Sequence, residues 1–148
     1  MKKFIFIIIM FFSLSSCGFS PIYSNQSEIN FNLKINKIYG DPMMNKITRS
    51  QIKRYENIST EKMIFINIKT NYSKDILSKN KKGEVTNYLI KMEIEFQKTD
   101  DENQIYIFRE EIKTANMSNK FDFKNYENTI INNFVNSQFE KFILKISS

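Results

Sequence analysis

Few side chains in this sequence can do covalent or acid–base chemistry. Cys17 is the only thiol, and there is no histidine. A general base working near neutral pH would have to be a carboxylate with a perturbed pKa, because histidine alone titrates there unperturbed. Two carboxylate pairs stand close in sequence, Glu93/Glu95 and Glu110/Glu111. Glu93 and Glu95 are two residues apart, so on a strand they share one face. That face is predicted to be the wet one, and a solvated surface accounts for both. Imidazole metal sites have no donors here, and one cysteine makes no internal disulfide. What remains is positive charge. Lys79, Lys81 and Lys82 fall together in "KNKKGE", and an ammonium group serves phosphate as a point charge. Arg109 and Lys113 share one face of a predicted strand, and Lys91 lies on its predicted hairpin partner. These six cations are the candidates for contacting an anionic lipid. A solvated surface is the competing account of all six.

The surroundings of Cys17 give it a role. Met1-Lys2-Lys3 is a short positive start, and "FIFIIIMFF" from Phe4 to Phe12 is an apolar core. Nine helical residues reach about 14 Å, roughly half of a bilayer's hydrocarbon thickness. The block has the length and flanks of an export signal rather than of a membrane span. It runs through Leu14-Ser15-Ser16 directly into Cys17, which resembles the lipobox of bacterial lipoproteins. The resemblance implies a signal peptide over residues 1–16, a diacylglyceryl group on the Cys17 sulfur, cleavage before Cys17 and acylation of the new amino terminus. The covalent lipid would be the only prosthetic group; no cofactor or metal is expected. Two or more acyl chains, at ~0.8 kcal/mol per buried CH₂, anchor a protein stably. Among such lipoproteins an Asp after the cysteine favours retention at the inner membrane. Here the residue is Gly18, so the outer membrane, periplasmic side, is the expected address.

Composition sets further bounds. The chain of 148 residues carries 22 Lys and Arg against 16 Asp and Glu. Loss of the signal removes Lys2 and Lys3 and leaves a mildly basic chain of one-domain length. Lys, Asn, Ile and Phe are enriched together, as an AT-rich genome would also produce. The charge therefore does not argue for nucleic acid, and none is expected as a partner. An anionic lipid or glycolipid suits it better. With two prolines and three glycines, turns must rely on Asn, Asp, Ser and Lys.

The elements that would position these residues follow from periodicity. Residues 17–28 read as a lipidated tether and 29–148 as a single domain. Ile29, Phe31, Leu33 and Ile35 alternate with polar residues, which predicts a strand ending near Tyr39-Gly40. Asp41-Pro42 is an N-cap followed by proline at the first helical position, opening a helix through "MMNKITRSQIKRYENIS" with Met44, Ile47, Ile52 and Tyr55 near one face. Alternation resumes over 63–73. Residues 74–84 read as a polar, basic loop long enough to project. Residues 85–98 place Tyr88, Ile90, Met92, Ile94 and Phe96 on one face and Asn87, Lys91, Glu93 and Glu95 on the other. After an acidic turn, 105–115 complete a long antiparallel hairpin. Asp122 is expected to cap a last helix, Phe123 to about Ile146, whose apolar residues recur at three, four and seven. The order β-α-β-β-β-α predicts an α+β two-layer sandwich: a four-stranded, mostly antiparallel sheet with both helices on one face.

With the lipobox, this order and length resemble the lipopolysaccharide-assembly lipoprotein family, the plug subunit of the outer-membrane lipopolysaccharide translocon. Cys17-Gly18-Phe19, Pro21 and Tyr23 look like the C-G-F-x-P-h-Y start of its alphaproteobacterial branch. "VTNYLIKMEIEFQ", "FREEIKTANM" and "NYENTI" are similar to its long hairpin and entry into the last helix. The resemblance implies a non-enzymatic lipoprotein that seats in a β-barrel, supports the barrel's assembly and contacts lipopolysaccharide during export. Its partners would be the barrel, lipopolysaccharide and, through the lipid, the membrane. The composition and the acidic hairpin turn depart from that family. The alternatives are another periplasm-facing lipoprotein module (a binder, an inhibitor or an assembly scaffold) or an exported enzyme using Glu93/Glu95 or Glu110/Glu111.

Overall fold

A computed structural model describes residues 30–56, 58, 60–101 and 104–147. The expected export signal, Cys17, the expected tether and Ile29 lie outside these residues. The order is β1 (Asn32–Gly40), α1 (Pro42–Ile52) with a 3₁₀ turn Lys53–Tyr55, β2 (Met63–Lys79), β3 (Val85–Lys98), β4 (Ile105–Ala115) and α2 (Lys120–Ser147). The strands form one sheet in the order β1-β2-β3-β4. β1 runs parallel to β2, while β2/β3 and β3/β4 are antiparallel. A parallel pair needs a crossover, and α1 supplies it. The expected architecture is therefore the one found.

Both helices lie on one face of the sheet. Ile64, Ile66 and Ile68 of β2 and Ile90, Met92, Ile94 and Phe96 of β3 form one core with Met44 and Ile52 of α1 and Phe134, Phe139 and Phe142 of α2. Phe96 stacks on Phe142 at 4.3 Å and meets Phe139 edge-on at 6.1 Å. α2 sits beneath β3, and Gln51 of α1 donates to Asn136 of α2 at 2.6 Å. Although α2 has 28 residues, no helix among the described residues is long and apolar enough to cross a membrane.

Three local expectations need correction. First, the alternation holds through Ile35 but does not run unbroken to Gly40, because β1 has an irregularity between Ile35 and Lys37. Asn36 is the extra residue, and Ile38 thereby joins Ile35 on the helix side. Second, Asp122 does not cap α2. The Asn119 side chain accepts from the Phe121 amide at 2.9 Å, and the helix opens at Lys120. Asp122 sits in its first turn, where a carboxylate favours the helix dipole. Third, α1 ends at Ile52 and tightens into 3₁₀ turns rather than continuing through the 50s. Its start is as expected: Asp41 Oδ1 accepts from the Met44 amide at 2.8 Å, with Pro42 at the first position.

The β1–α1 corner explains Gly40. Its φ is +110°, and a Cβ built there would lie 1.8 Å from the Thr70 carbonyl oxygen. That same oxygen accepts from the Asp41 amide at 3.3 Å, and the buried Thr70 hydroxyl lies 2.8 Å from Asn45 Oδ1. Close backbone approach and positive φ both demand glycine here.

Candidate functional site

The largest departure from the sequence expectation shapes the candidate site. Residues 74–79 are not loop; β2 continues to Lys79 and pairs with β3 to the end. Lys74 and Ile76 stand opposite Ile90 and Tyr88. The segment lies at the far end of the sheet and is polar apart from Ile76 and Leu77, so its alternation is hard to see in sequence. The turn is short. Asn80 Oδ1 accepts from the amides of Lys82 and Glu84 at 2.9 and 3.0 Å, and Gly83 takes φ +82°. Lys79 therefore ends a strand, and Lys81 and Lys82 occupy the turn, all three exposed.

This hairpin end is held from two sides. Asn116, just after β4, donates to the carbonyls of Thr86 (2.7 Å) and Val85 (2.9 Å). The first turns of α2 hold the helix side. Phe123 packs on Tyr88 with centroids 5.3 Å apart. Lys74 Nζ lies 5.0 Å from the Phe123 ring centroid and 5.6 Å from that of Tyr88. It also pairs with both Glu127 oxygens, at 3.0 and 3.2 Å. The Tyr72 hydroxyl donates to the same carboxylate. Burial, then the hydrogen bond to Glu127 and the charge of that carboxylate, push the Tyr72 phenol well above its ordinary value.

The held end leaves apolar side chains in solvent. Ile76 is 54%, Leu77 45%, and Phe121 70% exposed, and Tyr126 is also open. Lys79, Lys81, Lys82, Lys120 and Lys124 are exposed at the same end, against the carboxylates Glu84 and Asp122. An end carrying both ammonium groups and open apolar side chains matches an anionic amphiphile better than either feature alone. Sequence reading found Lys79, Lys81 and Lys82 and missed Ile76, Leu77 and Phe121. The signal was present in the run Ile76-Leu77 inside a segment otherwise polar, and in Phe121 falling outside the apolar stripe of α2.

The other three candidates lie elsewhere, on the sheet face away from the helices. Lys91 pairs with Asp75 at 3.1 Å, and Arg109 pairs with Glu93. Lys113 is exposed opposite Leu89. Register sets Lys91 beside Glu111 and Arg109 beside Glu93. A shallow depression there is lined by both signs of charge, so its cations are largely answered by carboxylates. The structure thus separates the six residues into an end cluster of three and a charge-balanced face of three. Glu93 and Glu95 share that outer face, as expected. Glu110 and Glu111 are adjacent on a strand and point to opposite faces, so they form no acid–base pair. Among the described residues no group of three His, Cys, Asp or Glu could hold a metal ion.

No family model matches the chain, and no curated protein matches it. Solved structures do. The rare lipoprotein B from Shewanella oneidensis is similar with a TM-score of 0.50 and 11% identity, over 76% of this chain and 91% of that one. An uncharacterized lipoprotein B from Nitrosomonas europaea is similar with a TM-score of 0.52 and 12% identity, over 80% of this chain and 86% of that one. At such identity the likeness is one of architecture: this chain has the fold of these two lipoproteins.

Proposed function

We propose that this chain is a lipid-anchored outer-membrane lipoprotein that plugs and supports assembly of a lipopolysaccharide-exporting β-barrel and contacts lipopolysaccharide through its hairpin end. The role is non-enzymatic. The lipobox around Cys17, the C-G-F start and the fold shared with two lipoproteins support the reading. The observation that carries it is the placement of the lysine-rich apolar end. The chain enters the domain at β1, whose Asn32 pairs with Met63 at the beginning of β2, while the hairpin end lies at the other end of that strand. At about 3.3 Å per residue, β2 separates the two ends by up to roughly 50 Å. A chain held by lipid at Cys17 would carry its amphiphile-matching end away from the anchoring point. Barrel lumens are polar, and the charge-balanced outer sheet face suits such a wall. A shared membrane raises the effective concentration of the module beside its barrel.

Two measurements test this. The lipidated full chain, extracted in mild detergent, should copurify with a β-barrel protein. Recovery of a non-barrel partner instead would favour a different lipoprotein module. Replacing Lys79, Lys81 and Lys82 together with Ser should weaken binding to purified lipopolysaccharide and flatten its salt dependence while leaving the fold intact. Exposed charge contacts contribute only ~0–1 kcal/mol each and are screened by salt, so all three must change together. Equal binding by the triple variant at low and moderate salt would remove the hairpin end from the contact and leave Lys91, Arg109 and Lys113 to be tested.

A further inference from the structure

The solvent face of α1 and its 3₁₀ turn is basic. From Lys46 to Arg54 five residues are exposed, and four of them, Lys46, Arg49, Lys53 and Arg54, are cations; the fifth is Ser50. No carboxylate falls between Pro42 and Tyr55. Spacings of three and four set Lys46, Arg49 and Lys53 in one line along the helix, roughly 10 Å long. Other cations of the domain are answered: Lys74 by Glu127, Lys91 by Asp75, Lys98 by Asp100 and Arg109 by Glu93. Among the described residues none of the four cations of this face has a carboxylate in ion-pair contact. Folding does not account for the pattern, because like charges three and four apart destabilise a helix. The helix dipole favours Lys53 and Arg54 at the C-terminal end, but Lys46 lies in the N-terminal half of α1. Composition does not account for it either. The bias of this chain is toward lysine, yet two of its three arginines stand here. α2 shows the ordinary arrangement, with exposed Lys124 and Lys141 interleaved with Asp122 and Glu140.

The chemistry of the face specifies its partner. A guanidinium fork meets a carboxylate through two parallel hydrogen bonds, and the ammonium groups add point charges. No large apolar side chain of α1 is exposed: Met44 and Ile52 are buried, and Met43 and Ile47 are half-buried. The stripe thus offers nothing to acyl chains, unlike the hairpin end. It also lies away from that end, because α1 starts beside Thr70 and the chain returns to Met63, where β2 begins. We propose that the basic stripe Lys46-Arg49-Lys53-Arg54 docks on an acidic stretch of the inner wall of the partner barrel. The proposal rests on the plug reading and adds the chemistry that the wall presents to the helix layer. Inward side chains on neighbouring barrel strands stand about 5 Å apart, so carboxylates on three adjacent strands span the length of the stripe. The charge-balanced outer sheet face and the basic helix face would then meet different parts of the lumen, which fixes the rotation of the plug within it.

The test uses the lipidated full chain together with the barrel that copurifies with it in mild detergent. A water-soluble carbodiimide joins a lysine amine to a carboxylate in contact with it, forming an amide with loss of water. It should link the chain to the barrel through Lys46 or Lys53, as mapped by mass spectrometry. Lys46→Arg with Lys53→Arg should lose those links and keep the complex. Arg49→Glu should cut recovery of the barrel severalfold, because a carboxylate then meets carboxylates. The same change turns two repulsions along α1, with Lys46 and with Lys53, into attractions, so Tm should equal or exceed that of the parent. A lowered Tm would make Arg49 a structural residue and overturn its assignment to the contact. Binding of Arg49→Glu to purified lipopolysaccharide should match the parent; a severalfold loss would assign the stripe to glycolipid phosphates and overturn the proposal. Parental recovery of the barrel by Arg49→Glu, or no carbodiimide link from Lys46 or Lys53 to the barrel, would overturn it while leaving the plug reading intact. Recovery of no barrel by the parent chain would fail the plug reading itself, and the proposal with it.

Discussion

Phe139→Ala tests whether α2 holds the domain together. Phe139 is 1% exposed and touches rings from three elements: Tyr55 after α1, Phe96 of β3 and Phe142 of its own helix. Burying an aromatic side chain removes roughly 150–250 Å² from water, and at ~25 cal/mol per Å² this is worth about 4–6 kcal/mol as an upper bound. Truncation leaves the Cβ but opens a cavity among rings fixed by the sheet, so the loss should be ~3–5 kcal/mol. That is a large share of the ~5–15 kcal/mol of a typical domain. For a domain of this size it should lower Tm by about 10–20 °C. Leu144 on the same helix is 60% exposed, and Leu144→Ala should stay within ~0.5 kcal/mol of the parent. Urea titrations followed by circular dichroism, with slopes compared to exclude a changed unfolded state, measure both. Similar midpoints for the two variants, or a Tm for Phe139→Ala within about 3 °C of the parent, would refute the assignment of this helix face to the core.

Gly40→Ala should destabilise by at least ~2 kcal/mol, because the new Cβ meets the Thr70 carbonyl and positive φ disfavours it; a parental Tm would contradict the corner geometry. Tyr72 predicts an alkaline effect. Its phenol is held above the ordinary value of about 10, so its contribution to stability is complete below pH ~10 and is lost as pH rises beyond that. The stability difference between parent and Tyr72→Phe should therefore be constant from pH 7 to 9 and shrink at higher pH, and a difference that does not shrink would contradict it. Cys17→Ser should abolish lipid labelling and leave unprocessed precursor; normal labelling would dismiss the lipobox.

The alternation of 85–98 and 105–115 and the three-four spacing of α2 were legible in sequence, because each element shows a wet and a dry face to its neighbours. Asp41-Pro42 was legible because a cap is local chemistry. The extension of β2 to Lys79 was not. Residues 74–79 bury little, so nothing in their own pattern marks a strand, and only pairing with 85–90 makes them one. The Asn36 irregularity and the use of Asn119 over Asp122 as cap turn on register and on where the chain re-enters the helix layer, which no short window contains. The candidate site divides the same way. Sequence proximity grouped Lys79, Lys81 and Lys82, since a turn is local. It took the sheet to show that Lys91 and Arg109 are matched by Asp75 and Glu93. It took the docking of α2 under the hairpin to set Phe121 and Lys124 at the end where Ile76 and Leu77 stand open, because that proximity spans some forty residues of chain.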